Sequence, residues 1–157
     1  MIFVTVGTQL PFPRLIDAMD RIAAESEEKI VAQTGPAEGD WPHLEHMSNL
    51  TPARFEALFL EARLIVAHAG IGTILSAKRY GKPLVLLPRR HGLNEHRNDH
   101  QLATAEAVGS VKGVHIAWQA EDLAGLVART DLDAADLSES PTHGALIDRL
   151  KAFVAAA

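Results

Sequence analysis

The chain has 157 residues, 47% of them hydrophobic, which is enough apolar material for one full core and predicts a single domain over residues 1–157. Lys+Arg number 15 and Asp+Glu 20, the formal net charge is −5 and no basic run exceeds Arg89-Arg90, so a nucleic-acid surface is excluded. Without cysteine there is no disulfide scaffold, cysteine zinc site or thiol chemistry, which fits a cytoplasmic protein, and no apolar run nears the roughly 20 residues of a membrane span.

Directly after Met1, Ile2–Val6 reads as a buried strand rather than a leader, and it runs into Gly7-Thr8-Gln9. Phe12, Leu15, Ile16, Met19, Ile22 and Ala23 keep the three-four spacing of an amphipathic helix. Ile30–Gln33 is a second strand, and His43–Asn49 a weaker third. Thr51-Pro52 opens a helix, with Thr as N-cap and Pro at the first helical position, whose apolar face is Phe55, Leu58, Phe59 and Ala62. Leu64–Ala67 is a strand, Thr73–Tyr80 a helix closed by Gly81, and Leu84–Leu87 a strand. A helix from about Glu95 to Val108, a strand near Val111–Ile116 and a helix near Glu121–Arg129 follow. Asp131–Pro141 reads as a surface loop leading to a last helix marked by Leu146, Ile147, Leu150, Phe153 and Val154. Strands separated by helices require crossovers, so the expected class is α/β with a mostly parallel sheet covered on both faces. Ligands of such sheets sit beyond the carboxyl ends of the strands.

Three loops follow strands and open helices. In His68-Ala69-Gly70-Ile71-Gly72-Thr73, the two glycines admit a close backbone turn, and the helix that follows presents free N–H groups suited to a diphosphate. A tight strand-to-helix turn explains the same glycines equally well. No third fingerprint glycine and no Gly-Lys-Ser/Thr ending is present, which disfavours ordinary NAD binding and NTP hydrolysis. The stretch after Pro88 crowds His91, His96, Arg97, Asn98, Asp99, His100 and Gln101 around one helix start, a donor-and-acceptor mixture suited to hydroxyl groups. His96 and His100 stand four apart beside Glu95 and Asp99, but the spacing is not H-E-x-x-H and no further ligand stands out, so no metal is expected.

His68-Ala69-Gly70-Ile71-Gly72-Thr73, then Gly81-Lys82-Pro83, then Asp99-His100-Gln101 with Ala105, resembles the C-terminal half of family 28 glycosyltransferases of the GT-B class. The opening Val4-Thr5-Val6-Gly7-Thr8-Gln9 and the run Glu95–Ala105 are similar to the PssE-like subunits of bacterial exopolysaccharide glycosyltransferases. The soluble subunit of the eukaryotic two-part N-acetylglucosaminyltransferase is a more distant likeness. The resemblance reaches from Met1 to about Ile116.

It implies one Rossmann-like domain that holds a UDP-sugar, with the acceptor half supplied by a membrane-associated partner subunit. It places Gly7, Thr8, Gln9, Gly70, Gly72 and Thr73 at the diphosphate, and Asp99, His100 and Gln101 at the sugar. Asn49 and Leu50 fall at the uracil, and Ser76 stands where many relatives carry an acidic residue for the ribose. The implied activity is an inverting UDP-sugar-dependent transfer to a lipid-linked acceptor in exopolysaccharide synthesis, with the UDP-sugar as substrate and no cofactor. The likeness tilts towards glucuronic acid, whose carboxylate Arg89, Arg90 and Arg97 could pair, though the same arginines could equally flank the diphosphate or salt-bridge a partner. By analogy the general base belongs to the partner, with His91 and His96 as the candidates in this chain. The rival reading is a non-catalytic accessory subunit that stabilises or activates a transferase. Lys82 follows Gly81 and reads as part of a turn.

Overall fold

The computed structural model describes residues 1–135. The helix expected around Leu146–Val154 and most of the Asp131–Pro141 segment lie outside the described residues. Six strands, β1 (Ile2–Thr5), β2 (Ile30–Gln33), β3 (Glu45–Met47), β4 (Leu64–His68), β5 (Leu84–Leu87) and β6 (Val114–Ile116), form one sheet in the order β3-β2-β1-β4-β5-β6. Every pairing is parallel. The α/β expectation therefore holds, and the sheet is the more uniform for being wholly parallel.

The helices are α1 (Pro13–Ala24), α2 (Pro52–Glu61), α3 (Ile71–Tyr80), α4 (His100–Val108) and α5 (Leu123–Val127). Strand alternation sends Ile2, Val4 and Val6 to one face, against Leu15, Ile16 and Met19 of α1 and Leu123 and Val127 of α5. Phe3 points to the other face, against Leu58 and Phe59 of α2, Ile74 and Ala77 of α3, and Ala105 and Val108 of α4. β1 reads as a continuous apolar run because both faces are covered. Burying a side chain of this size is worth about 1.5–3 kcal/mol, so these two layers hold the sheet. On the second face Phe3 meets Phe55 edge-on at 5.5 Å, and Phe59 packs on Tyr80 at 5.7 Å.

Two boundaries differ instructively from the sequence expectation. The helix expected from Glu95 begins only at His100. Residues His91–Leu93 make a 3-10 turn that ends in left-handed Asn94, φ 58°. Asn98 then accepts from the His100 N–H, Asp99 from the His91 N–H and Glu95 from the Arg90 N–H, so their side chains compete with the helix for backbone partners. α3 begins two residues earlier than expected, with Gly70 as N-cap.

The sheet order sets the place of the site. The chain leaves β1 towards β2 and β3, then returns to lay β4 on the other side of β1. The loops after β1 and β4 thus diverge to opposite directions and leave a crevice at their carboxyl ends.

Candidate functional site

A cleft of about 890 Å³ occupies that crevice. It is lined by the β1 and β4 loops, by the first turns of α2 and α3, and by side chains from the stretch after β5.

The first loop is tied down through particular carbonyls, that of Gly7 to Gln33 and those of Val6, Leu10 and Pro11 to Arg89. Gly7 has φ 77°, a conformation that favours glycine, and a Cβ there would stand 3.2 Å from His68 Nε2. Gln33, buried at the end of β2, accepts from the Thr5 hydroxyl at 2.6 Å and donates its amide to the Gly7 carbonyl at 3.0 Å. The N–H groups of Thr8, Gln9 and Leu10 make no hydrogen bond among the described residues. Thr8 and Gln9 both line the cleft.

The second loop delivers a helix end. No side chain caps α3, and its first intrahelical bond runs from Ile74 N–H to the Gly70 carbonyl, so the N–H groups of Ile71, Gly72 and Thr73 stand free at the cleft wall. The two glycines differ. A Cβ at Gly70 would meet the His68 ring at 2.5 Å, whereas at Gly72 it would meet nothing within 4 Å. Gly70 makes room for an imidazole, and Gly72 keeps the helix mouth open.

Gln101 ties the second loop to the third. Its Oε1 accepts from Ala69 N–H at 3.2 Å and from Arg89 N–H at 3.0 Å. With the oxygen so engaged, the amide nitrogen faces His68 Nδ1 at 3.1 Å, and as a donor it makes that ring atom the acceptor. The ring proton of neutral His68 therefore sits on Nε2, beside Gly7 and Gly70 in the cleft wall. Burial, with the nearby Arg89 charge and His96, pulls the His68 pKa from 6.5 down to about 3. His68 is a fixed neutral donor at physiological pH.

The sequence candidates distribute unevenly. Gly7, Thr8, Gln9, Gly70, Gly72 and Thr73 all line the cleft, as do Leu50, Ser76, His96 and Gln101. Asn49 is exposed and does not line it. Asp99, His100 and Gln101 do not share one cavity, because Asp99 precedes α4 and successive residues of the helix point about 100° apart. Gln101 turns to the cleft, Asp99 lines a neighbouring cavity of about 580 Å³, and His100 lines neither. Gln101 keeps one amide hydrogen for a ligand once its bonds to Ala69, Arg89 and His68 are counted.

His91 is exposed, its ring on the His96 carbonyl, and it lines neither cavity. Burial and the Arg89 charge hold the His96 pKa below the usual imidazole range, and its buried Nδ1 has no partner among the described residues. Glu95, which stood beside His96 and His100 as a possible metal ligand, instead clasps Arg14 with two bonds of 2.8 Å. Arg89, offered as a partner for a sugar carboxylate, is 2% exposed, with its guanidinium on backbone carbonyls. Arg90 donates to the Trp118 carbonyl.

Sequence reasoning missed Gln33 and Glu56 as parts of this wall, offered Arg89 as a ligand contact and not as a holder of loop carbonyls, and gave His68 no role. Among the described residues Glu56 is the only carboxylate lining the cleft, on the first turns of α2 near Leu50, Pro52 and Phe55. Its signal was the i+4 spacing from Pro52, which puts both on one helix face.

One wall of the cleft thus carries free N–H groups and a neutral imidazole donor, and the other carries Leu50, Phe55 and Tyr80 with Glu56 and Ser76. Such a cleft can take an anion at the first wall and a planar apolar group with hydroxyls at the second. The model of the glycosyltransferase family 28 C-terminal domain matches residues 1–143. The UDP-N-acetylglucosamine transferase subunit ALG13 of Eremothecium gossypii is 30% identical, over 82% of this chain and 80% of its own length. The NMR structure of ALG13 superposes with a TM-score of 0.64 at 19% identity, over 96% of both chains. The calicheamicin glycosyltransferase CalG4 superposes at 0.62 and 21% identity, and the kitacinnamycin glycosyltransferase at 0.60 and 20%. The chain spans only 37% and 39% of those two enzymes, and at such identities they speak for the fold.

Proposed function

The chain belongs to the glycosyltransferase family 28 C-terminal domain family, and from that premise we propose that it is the UDP-sugar-binding subunit of an inverting glycosyltransferase. The observation that carries the proposal is the convergence of free N–H groups from Thr8–Leu10 and Ile71–Thr73, with His68 Nε2, on one cleft wall. The diphosphate of UDP sits on that wall. The uracil lies towards Leu50 and Phe55, and the ribose hydroxyls reach Ser76 and Glu56. The sugar extends towards Gln101 and His96, where the remaining amide hydrogen of Gln101 meets a hydroxyl.

Catalysis follows from charge. As the glycosidic bond breaks, negative charge grows on the UDP leaving group, and donors already aimed at it lower the barrier without reorganising. His68 contributes as a donor and not as a cation, because burial keeps it neutral.

The acceptor half is a second polypeptide. Support comes from ALG13, which is named as a subunit. In this reading a lipid-linked acceptor, as in exopolysaccharide synthesis, is reached through the partner; no helix among the described residues is long and apolar enough to cross a membrane. His96, neutral and lining the cleft, is the group of this chain nearest in kind to a base.

A radiolabelled transfer assay tests the proposal. The purified chain alone is expected to bind UDP-sugar and transfer essentially none, because positioning of the acceptor is worth roughly 7–11 kcal/mol of barrier. Adding the acceptor subunit restores transfer. Robust turnover by partner-free protein would place the base in this chain, with His96 the first residue to mutate.

A further inference from the structure

We propose that Arg89 is a positioning residue for the diphosphate: its buried guanidinium ties the two ends of the first loop together through their carbonyls and so holds the free N–H groups between them in place as an anion-binding nest. The proposal rests on the reading of the cleft as a UDP site. It goes beyond that reading by assigning the geometry of the first loop to a side chain 78 to 83 residues away in sequence.

Arg89 is 2% exposed and is among the largest fully buried side chains of the protein. Its Nη2 donates to Val6 O at 2.7 Å and to Leu10 O at 2.9 Å, and its Nη1 to Pro11 O at 2.6 Å and Glu95 O at 3.5 Å. The guanidinium plane lies over the Phe12 ring at 4.6 Å. Three carbonyls of one six-residue stretch, Val6–Pro11, therefore converge on one cation, and Gln33 takes the Gly7 carbonyl between them. Pinned at Val6 and at Leu10–Pro11, the stretch between is held as a turn that keeps its backbone N–H groups in one place. Those of Thr8, Gln9 and Leu10 are the ones without partners among the described residues. Successive free N–H groups in a turn make an anion-binding concavity.

The charge is as telling as the shape. Among the described residues Arg89 enters no ion pair. The nearest candidate, Glu95, directs its carboxylate to Arg14 and to the Arg90 N–H. A buried cation whose direct partners are carbonyl dipoles, with the Glu95 charge close by but spent on Arg14, is costly, and an anion arriving at the nest relieves that cost. Burial lowers the Arg89 pKa to about 10, which still leaves it charged at neutral pH. A lysine at this position keeps the charge but has no planar fork to bridge three carbonyls.

The test measures affinity for UDP and for uridine by calorimetry, on the wild type and on folded Arg89→Lys. The expected result is a loss of about tenfold to a hundredfold for UDP with uridine unchanged, since only UDP reaches the nest. Equal losses for both ligands, or wild-type UDP affinity in the variant, overturn the proposal. If wild type fails to bind UDP at all, the donor reading itself falls and the proposal with it, an outcome distinct from a variant that binds as the wild type does. Should Arg89→Lys not fold, the wild type decides by NMR with inorganic pyrophosphate as probe. Saturable shifts of the Thr8, Gln9 and Leu10 amides together with the Arg89 side chain support the nest. Shifts confined to Ile71–Thr73 overturn it.

Discussion

At the scale of single residues, Gly70 and Gly72 separate two roles that a G-x-G pattern merges. Gly70 accommodates His68, so a side chain there disturbs the wall itself. Gly72 faces open space and is the clean probe: Gly72→Val should keep the fold, judged by its unfolding transition, yet lose UDP binding because the branched side chain fills the approach to the helix N–H groups. Wild-type affinity in a folded variant would remove the diphosphate from this helix end. His68 makes a pH prediction. The folded protein keeps it neutral down to about pH 3, whereas the unfolded chain takes up a proton near the ordinary value of 6.5. The unfolded state then binds more protons below 6.5, so the contribution is intact above 6.5 and is lost as pH falls towards 3. By pH 5 the loss should be about 2 kcal/mol, read from urea midpoints, and His68→Gln should flatten most of that slope. His96, shifted in the same direction, leaves a smaller residue of it. The glycines and Thr73 were legible in the sequence because their spacing encodes a turn and a helix start. The Gln101 bridge was not, since its partners lie 12 to 33 residues away and nothing local marks an amide as internal rather than ligand-facing.

At the scale of elements, apolar periodicity located every strand, and capping chemistry placed the start of α2. Thr51 Oγ accepts from Arg54 N–H at 3.2 Å, and Pro52 takes the first helical position. Thr51→Ala should cost about 1 kcal/mol in a urea titration, and no loss would show the cap to be replaced by water. Periodicity failed at α4, where Leu102, Ala105 and Val108 continue backwards into a stretch whose Asn, Asp and Glu side chains bond the backbone instead. The same failure split the expected sugar set, since Asp99 precedes the helix and Gln101 lies one turn's fraction round it. Lys82, read as part of a turn, donates to the Leu60 and Ala62 carbonyls at 2.6 and 2.8 Å, a cation at the negative end of α2.

At the scale of the whole molecule, function follows from strand order. Placing β1 between β2 and β4 opens the crevice, and the three loops that the sequence marks as polar or glycine-rich all border it or its neighbour. In the proposed reading, a wall of N–H groups, a neutral histidine and a buried arginine make an anion site in a protein of net charge −5. The central claim is that the isolated chain holds a nucleoside diphosphate in this cleft. Calorimetric titration of UDP into the purified chain tests it most directly. The account predicts saturable binding at one site per chain, tighter than for uridine. Absence of any binding heat at millimolar UDP, with the protein folded, would contradict it and favour a scaffold that never touches the donor.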